Sequence, residues 1–230
     1  MPRLILIHGN LDVPASFTPL LPLLPRIPTR CLDMIDTFRD WPAGLPVNVA
    51  EVAKRVASQY SIGADDVVIG HSMGGWIAAY LKAETGANTI LLNSWTDPRK
   101  VNAPIQSLTW LRRLVYSRFY QRRWLIGLAK TLYPIPSSRP RIRAALDRLA
   151  TIDPDYMFWQ YQLIFTPVAT PAPQPDLRIH TRFDPIIRPP AEPYVRVPGG
   201  HVAHWRHSAA VAAAITAFLS RDAIAALSSR

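Results

Sequence analysis

A chain of 230 residues, 49% apolar and 18% charged, has enough apolar side chains for one domain with a sizeable core; this excludes a disordered chain and argues against two independent domains. Its net charge of +10 is not spread evenly: residues 99–148 hold 12 Lys and Arg against one acid, Asp147, so this segment carries +11 and the remainder −1. No run approaches the roughly 18 apolar residues of a membrane-spanning helix, so no transmembrane segment is expected.

The first apolar run predicts a strand over residues 3–8, ending in Ile7-His8-Gly9-Asn10. Residues 16–24 have a weak helical pattern interrupted by Pro19 and Pro22. Strands follow at 30–35, 66–70, 88–93, 177–181 and 194–197, and helical spacing of apolar residues marks 47–60, 73–84 and 208–227. Short apolar strands alternating with helices are the pattern of a parallel sheet covered on both faces, an α/β fold with about six strands. More than 80 residues separate the fourth and fifth strands, too many for a loop, and imply an inserted helical subdomain at 97–175 in a core of 1–96 and 176–230. Within the insert, Ile105, Leu108, Leu111, Leu114 and Val115 form one helical stripe, and Ile142, Ala145, Leu146 and Leu149 another. The aromatic run Tyr156, Phe158, Trp159, Tyr161 predicts a third helix, and prolines at 167, 171, 173 and 175 make a stiff exit. Trp110, Tyr116, Phe119, Tyr120 and Trp124 lie among the basic residues and are expected on an underside packed against the core.

The residues with chemical meaning sit at strand ends. Gly70-His71-Ser72-Met73-Gly74 is a G-x-S-x-G between a strand and a helix, where glycines two positions either side permit a sharp turn that presents a serine hydroxyl. A serine needs a base to become a nucleophile. His201 follows the last strand, and Asp184, after the fifth, supplies an acid to orient it; Asp97, after the fourth, is the alternative acid. His204 and His207 can be read with His201 as a metal set, but no cysteine or carboxylate completes it in sequence, so no metal and no cofactor are expected. His8 and His71 read as structural.

The order Ser72, Asp184, His201, together with Ile7-His8-Gly9-Asn10, the elbow at Ser72, the segment from Ile179 to Pro185 and Pro198-Gly199-Gly200-His201, resembles the α/β-hydrolase superfamily. The resemblance implies an α/β-hydrolase fold with a helical lid, and an oxyanion hole made by the backbone amides of Asn10 and Met73. The chain begins at the equivalent of the family's third strand, and Thr181 stands where the family often has glycine. The implied activity is cleavage of a small-molecule carboxylic ester or thioester through an acyl-Ser72 intermediate, with dehalogenases and epoxide hydrolases disfavoured because they place aspartate at the nucleophile position. The basic insert fits an anionic acyl carrier, an anionic lipid surface or a plain solvated helix face. The alternative is a basic binding protein on a vestigial hydrolase fold, with nucleic acid the less favoured partner. The lone Cys31, read as a core residue, and the absence of an apolar leader after Met1-Pro2-Arg3 lead to an expected cytoplasmic location.

Overall fold

The computed structural model describes residues 2–133, 136 and 139–228, with side chains as far as residue 220. Six strands, β1 (Leu4–Ile7), β2 (Thr29–Leu32), β3 (Val67–His71), β4 (Asn88–Leu92), β5 (Leu177–Thr181) and β6 (Val195–Val197), form one sheet in the order β2-β1-β3-β4-β5-β6. Every pairing is parallel. The helices are α1 (Met34–Arg39), α2 (Val49–Tyr60), α3 (Met73–Thr85), α4 (Leu108–Tyr116), α5 (Arg123–Leu132), α6 (Arg139–Leu149), α7 (Pro154–Phe165), α8 (Ala203–Arg206) and α9 (Ser208–Ser228).

Strand alternation divides the core in two. Ile5, Ile7, Val68 and Leu91 face one side, where they meet Phe38 of α1, Val52 and Val56 of α2, and Trp76, Ile77 and Leu81 of α3. Leu4, Leu6, Val67, Ile69, Ile90 and Leu92 face the other, against Phe17, Leu20 and the Val211, Ala212 and Ile215 face of α9. Both faces of β1 and β3 are therefore buried, which is why these strands are continuously apolar. The chain turns back at β1: β2 lies on one side of it and β3 on the other, and ligands of open parallel sheets bind beyond the strand ends at such a reversal.

Local chemistry moved several expected boundaries. Asp33 ends β2 early because its carboxylate accepts from the Ile35 N–H, capping α1, a helix not anticipated. Asn48 caps α2 by accepting from Glu51 N–H at 3.0 Å, so that helix starts two residues later than its apolar spacing suggested. The segment 16–24 contains only 3-10 turns at Pro14–Phe17 and Leu21–Leu23, as its prolines dictate.

Between β4 and β5 lie α4 to α7, with a small core of their own around Val115, Tyr120 and Met157. Helix α5 was not foreseen. The expected inward aromatics require a correction: Tyr120 is buried, but Trp110, Tyr116, Phe119 and Trp124 are exposed. Leu111, Val115 and Ile126 occupy the buried positions of α4 and α5, and helical periodicity turns Trp110, Tyr116 and Trp124 outwards.

Candidate functional site

Ser72 joins β3 to α3 with φ 53° and ψ −121°, a backbone conformation that costs free energy for any residue with a Cβ. The neighbours explain how it is held. A Cβ on Gly70 would lie 2.2 Å from the Gly74 carbonyl oxygen, and one on Gly74 would lie 2.1 Å from the Ile7 carbonyl oxygen. Strand and helix therefore cross at backbone contact, and only glycine fits at both places. The Ser94 hydroxyl donates to the Ser72 carbonyl at 2.6 Å and helps hold the turn.

The loops after β5 and β6 bring the other two expected residues to this serine. His201 Nε2 is 3.0 Å from Ser72 Oγ, and His201 Nδ1 is 2.8 Å from Asp184 Oδ2. With the proton on Nδ1 and donated to the carboxylate, the Nε2 lone pair faces the hydroxyl and can take its proton. Asp184 Oδ1 accepts from the N–H groups of Ile186 (2.8 Å) and Ile187 (3.0 Å), while Oδ2 also accepts from Asn93 Nδ2 at 3.0 Å. Burial alone would raise the Asp184 carboxyl, but the neighbouring His201 and the Ile187 and Ile186 N–H groups outweigh it and bring the pKa down to about 2. Asp97 is elsewhere: it caps the turn Pro98–Lys100 and pairs with Arg99 at 2.8 Å.

Sequence reasoning missed the supports of this arrangement. Asn93 follows β4 with φ 44° and spans Asp184 and Thr181 Oγ1, both at 3.0 Å, so the threonine that departs from the family pattern has a partner. His71 Nε2–H donates to the His201 carbonyl at 2.9 Å, tying β3 to the loop that carries His201. Of the two residues expected to form an oxyanion hole, Met73 directly follows Ser72 and Asn10 lies beside it. Met73 opens α3, so its N–H belongs to the helix's unpaired first turn; Asn10 lines the same two cavities as Ser72. The Asn10 turn is gripped by the insert. Leu11, at φ 56°, donates its N–H to Gln160 Oε1 of α7 at 3.2 Å, and its carbonyl accepts from Arg148 Nε (3.0 Å) and Nη2 (2.6 Å) of α6. A leucine in left-handed backbone is disfavoured, and these contacts hold it there. Helical periodicity marks Gln160 only as a polar residue on an aromatic helix; nothing in sequence ties it to residue 11.

One feature corrects the metal reading. A carboxylate does approach the histidines: Asp12, His71 and His204 bring one ligand atom each within 4.8 Å of one another, whereas His207 packs its ring against Gly199. Arg141 and Arg148 of α6 pair with Oδ1 of this Asp12 carboxylate, whose Oδ2 lies 4.0 Å from His71 Nδ1.

The His71 and His204 rings lie against each other, tilted by 47°, with centroids 4.1 Å apart. Burial, reinforced by His201, pushes His71 down to about 3; burial first, then His71, also lowers His204. Both rings stay neutral in the fold while their unfolded counterparts protonate below about 6.5, so the unfolded state binds more protons in that range. Stability is therefore expected to be level above pH 6.5 and to fall as the pH drops below it, with His71 contributing down to about pH 3. Urea midpoints at neutral and mildly acidic pH test this, and His204→Phe should make the slope shallower. A flat profile would mean that the rings are protonated in the folded protein.

Two cavities open on Ser72. One, of about 300 Å³, is lined by Trp95, Leu111, Leu114, Ile164, Phe165 and Ile187 and is apolar. The other, of about 240 Å³, includes Asp12, Arg141, Ile142, Leu146 and His201.

A family profile described as "Alpha/beta hydrolase family" matches residues 4–214. Among solved structures, a hydrolase from Oleispira antarctica superposes with a TM-score of 0.67 at 15% identity, covering 96% of this chain and 90% of that one. A thermophilic esterase from Thermogutta terrifontis gives 0.62 at 15% identity, with 96% and 90% covered. A thioesterase from the prodiginine biosynthetic pathway of Streptomyces coelicolor gives 0.57 at 16% identity, with 94% and 85% covered. At such identities the likeness shows a shared fold. No curated protein matches the sequence.

Proposed function

Since the chain belongs to the alpha/beta hydrolase family, we propose that it is a serine hydrolase that cleaves a carboxylic ester or thioester of a small molecule. The observation that carries this reading is the continuous hydrogen-bonded line from Ser72 Oγ through His201 to Asp184. Ser72 Oγ attacks the carbonyl carbon as His201 Nε2 takes its proton. The N–H groups of Asn10 and Met73 receive the developing oxyanion, and because the fold already fixes both, no reorganisation is needed at that moment. His201 passes the proton to the departing alcohol or thiol, leaving acyl-Ser72. Water, deprotonated by the same nitrogen, then adds to the acyl carbon; the tetrahedral adduct expels Ser72, which recovers its proton, and the acid is released. No cofactor is required.

In this reading residues 97–175 are a lid on a core of 1–96 and 176–230. The apolar cavity takes the acyl chain; at about 30 Å³ per small group, it holds on the order of ten heavy atoms. Aspartate nucleophiles, as used for epoxide or carbon–halogen cleavage, are ruled out at this position by Ser72 itself.

The test is labelling with a fluorophosphonate, peptide mapping of the adduct, and hydrolysis of p-nitrophenyl esters of increasing acyl length. Labelling at Ser72 with a preference for short to medium acyl chains is expected. Absence of both labelling and turnover would overturn the proposal.

A further inference from the structure

The outer surface of α4 and α5 is unlike an ordinary solvated helix face. On α5, Trp124, Leu128 and Leu132 recur every four residues, so they form one stripe, and they are 61%, 47% and 69% exposed. Phe119 is also exposed and extends the stripe, with its ring centroid 6.0 Å from that of Trp124. On α4, Trp110 and Tyr116 are exposed, with Arg113 over the first ring at 5.1 Å and Arg112 over the second at 5.4 Å. Isolated apolar residues on a surface need no explanation; a run of this kind does.

The charge around the stripe points to its occupant. Arg112, Arg113, Arg118, Arg122 and Arg123 are all exposed, and among the described residues none of Arg118, Arg122 and Arg123 has an ion-pair partner. The segment's single acid, Asp147, is already paired with Lys130. A second copy of this chain would set one such surface against another of the same sign. Nucleic acid would satisfy the arginines but would leave Leu128 and Leu132 without a matching surface. An anionic bilayer serves both, because acyl tails accept Trp, Phe and Leu while the headgroups meet the arginines.

We infer that α4 and α5 form a peripheral docking surface for an anionic phospholipid membrane. Among the described residues no helix is long and apolar enough to cross a membrane, so α5 lies in the interface, with its stripe towards the acyl boundary. Leu111 and Leu114 of α4 line the apolar cavity beside Ser72, so the same helix faces the membrane on one side and the cavity on the other.

The experiment is cosedimentation of the full chain with vesicles of phosphatidylcholine, alone and with roughly a third phosphatidylserine, at salt from about 0.1 M to about 1 M. Binding to the anionic vesicles is expected to be at least tenfold stronger than to the neutral ones and to weaken steeply with salt. The combined substitution Trp124→Gln, Leu128→Gln, Leu132→Gln, which leaves the charge unchanged, should lower anionic-vesicle binding by tenfold or more. Arg122→Glu with Arg123→Glu should do the same and flatten the salt dependence. All five side chains are exposed, so hydrolysis of a water-soluble ester and phosphonate labelling should stay at wild-type levels in both variants; this keeps a failure of docking separate from a failure of the Ser72 reading. Equal binding to the two vesicle types would overturn the inference. So would no binding, or vesicle binding that survives the three glutamines and is displaced by duplex DNA, which would mark a charge-only surface.

Discussion

Ser72→Ala is expected to reduce ester turnover by on the order of 10⁴-fold to 10⁶-fold while leaving the fold unchanged. The hydroxyl is the only group lost. The strained turn does not depend on it, because the turn is held by the close approach of Gly70 to α3, that of Gly74 to the end of β1, and the Ser94 bond to the Ser72 carbonyl. Alanine has a Cβ like serine, so the positive φ costs no more than before. His201 Nε2 would then face a methyl group and have no proton to take, leaving only the residual catalysis supplied by binding and the oxyanion donors. The measurement is kcat/KM on the best p-nitrophenyl ester, with thermal denaturation as the control for folding. Turnover within about tenfold of wild type in protein free of contaminating esterase would remove Ser72 as nucleophile and with it the proposed mechanism.

Asp184→Asn is expected to lower kcat by on the order of 10⁴-fold, out of proportion to the replacement of one oxygen by NH₂. Asp184 Oδ1 must remain an acceptor for the Ile186 and Ile187 N–H groups, and Oδ2 takes donors from both His201 and Asn93. If the asparagine oxygen stays at the Oδ1 place, its NH₂ points at two donors. Relief comes when His201 shifts its proton to Nε2, and that tautomer meets Ser72 Oγ with a hydrogen in place of a lone pair. The shift also removes the negative charge that stabilises the imidazolium formed during acylation. Asp97→Asn should leave kcat within about twofold, since Asp97 is at the surface with Arg99. A loss of activity confined to Asp97→Asn would move the acid to the loop after β4 and sink the assignment.

The elbow was legible because it is encoded locally. Gly70, Ser72 and Gly74 sit between an apolar β-run and a helical run, and their spacing follows from how closely the backbone must fold. The loop placement of Asp184 and His201 was legible for a related reason: both follow recognisable strands of a parallel sheet, whose C-terminal ends gather on one edge. What could not be read were partners separated along the chain. Asn93 and Asp184 are 91 residues apart, and Leu11 and Gln160 are 149 apart. Each is an ordinary polar or apolar residue in its own segment, and its importance appears only when the sheet and insert bring it to a buried donor or acceptor that needs a partner. Asp12 was invisible to the metal reading in the same way. It lies in a turn after β1, 59 positions from His71 and far from His204 along the chain, and the fold sets it between those rings and two arginines of α6.

By itself, the sequence determined the layered α/β architecture, the six parallel strands, the insertion between the fourth and fifth, and the serine turn, because periodicity, glycine spacing and apolar run length act over a few residues. Tertiary structure alone decided which acid meets His201, what grips the Asn10 turn, and which way the aromatic residues of α4 and α5 face. Those outcomes depend on how distant segments pack against one another: Leu111, Val115 and Ile126 take the buried positions, and helical geometry leaves Trp110 and Trp124 to the solvent.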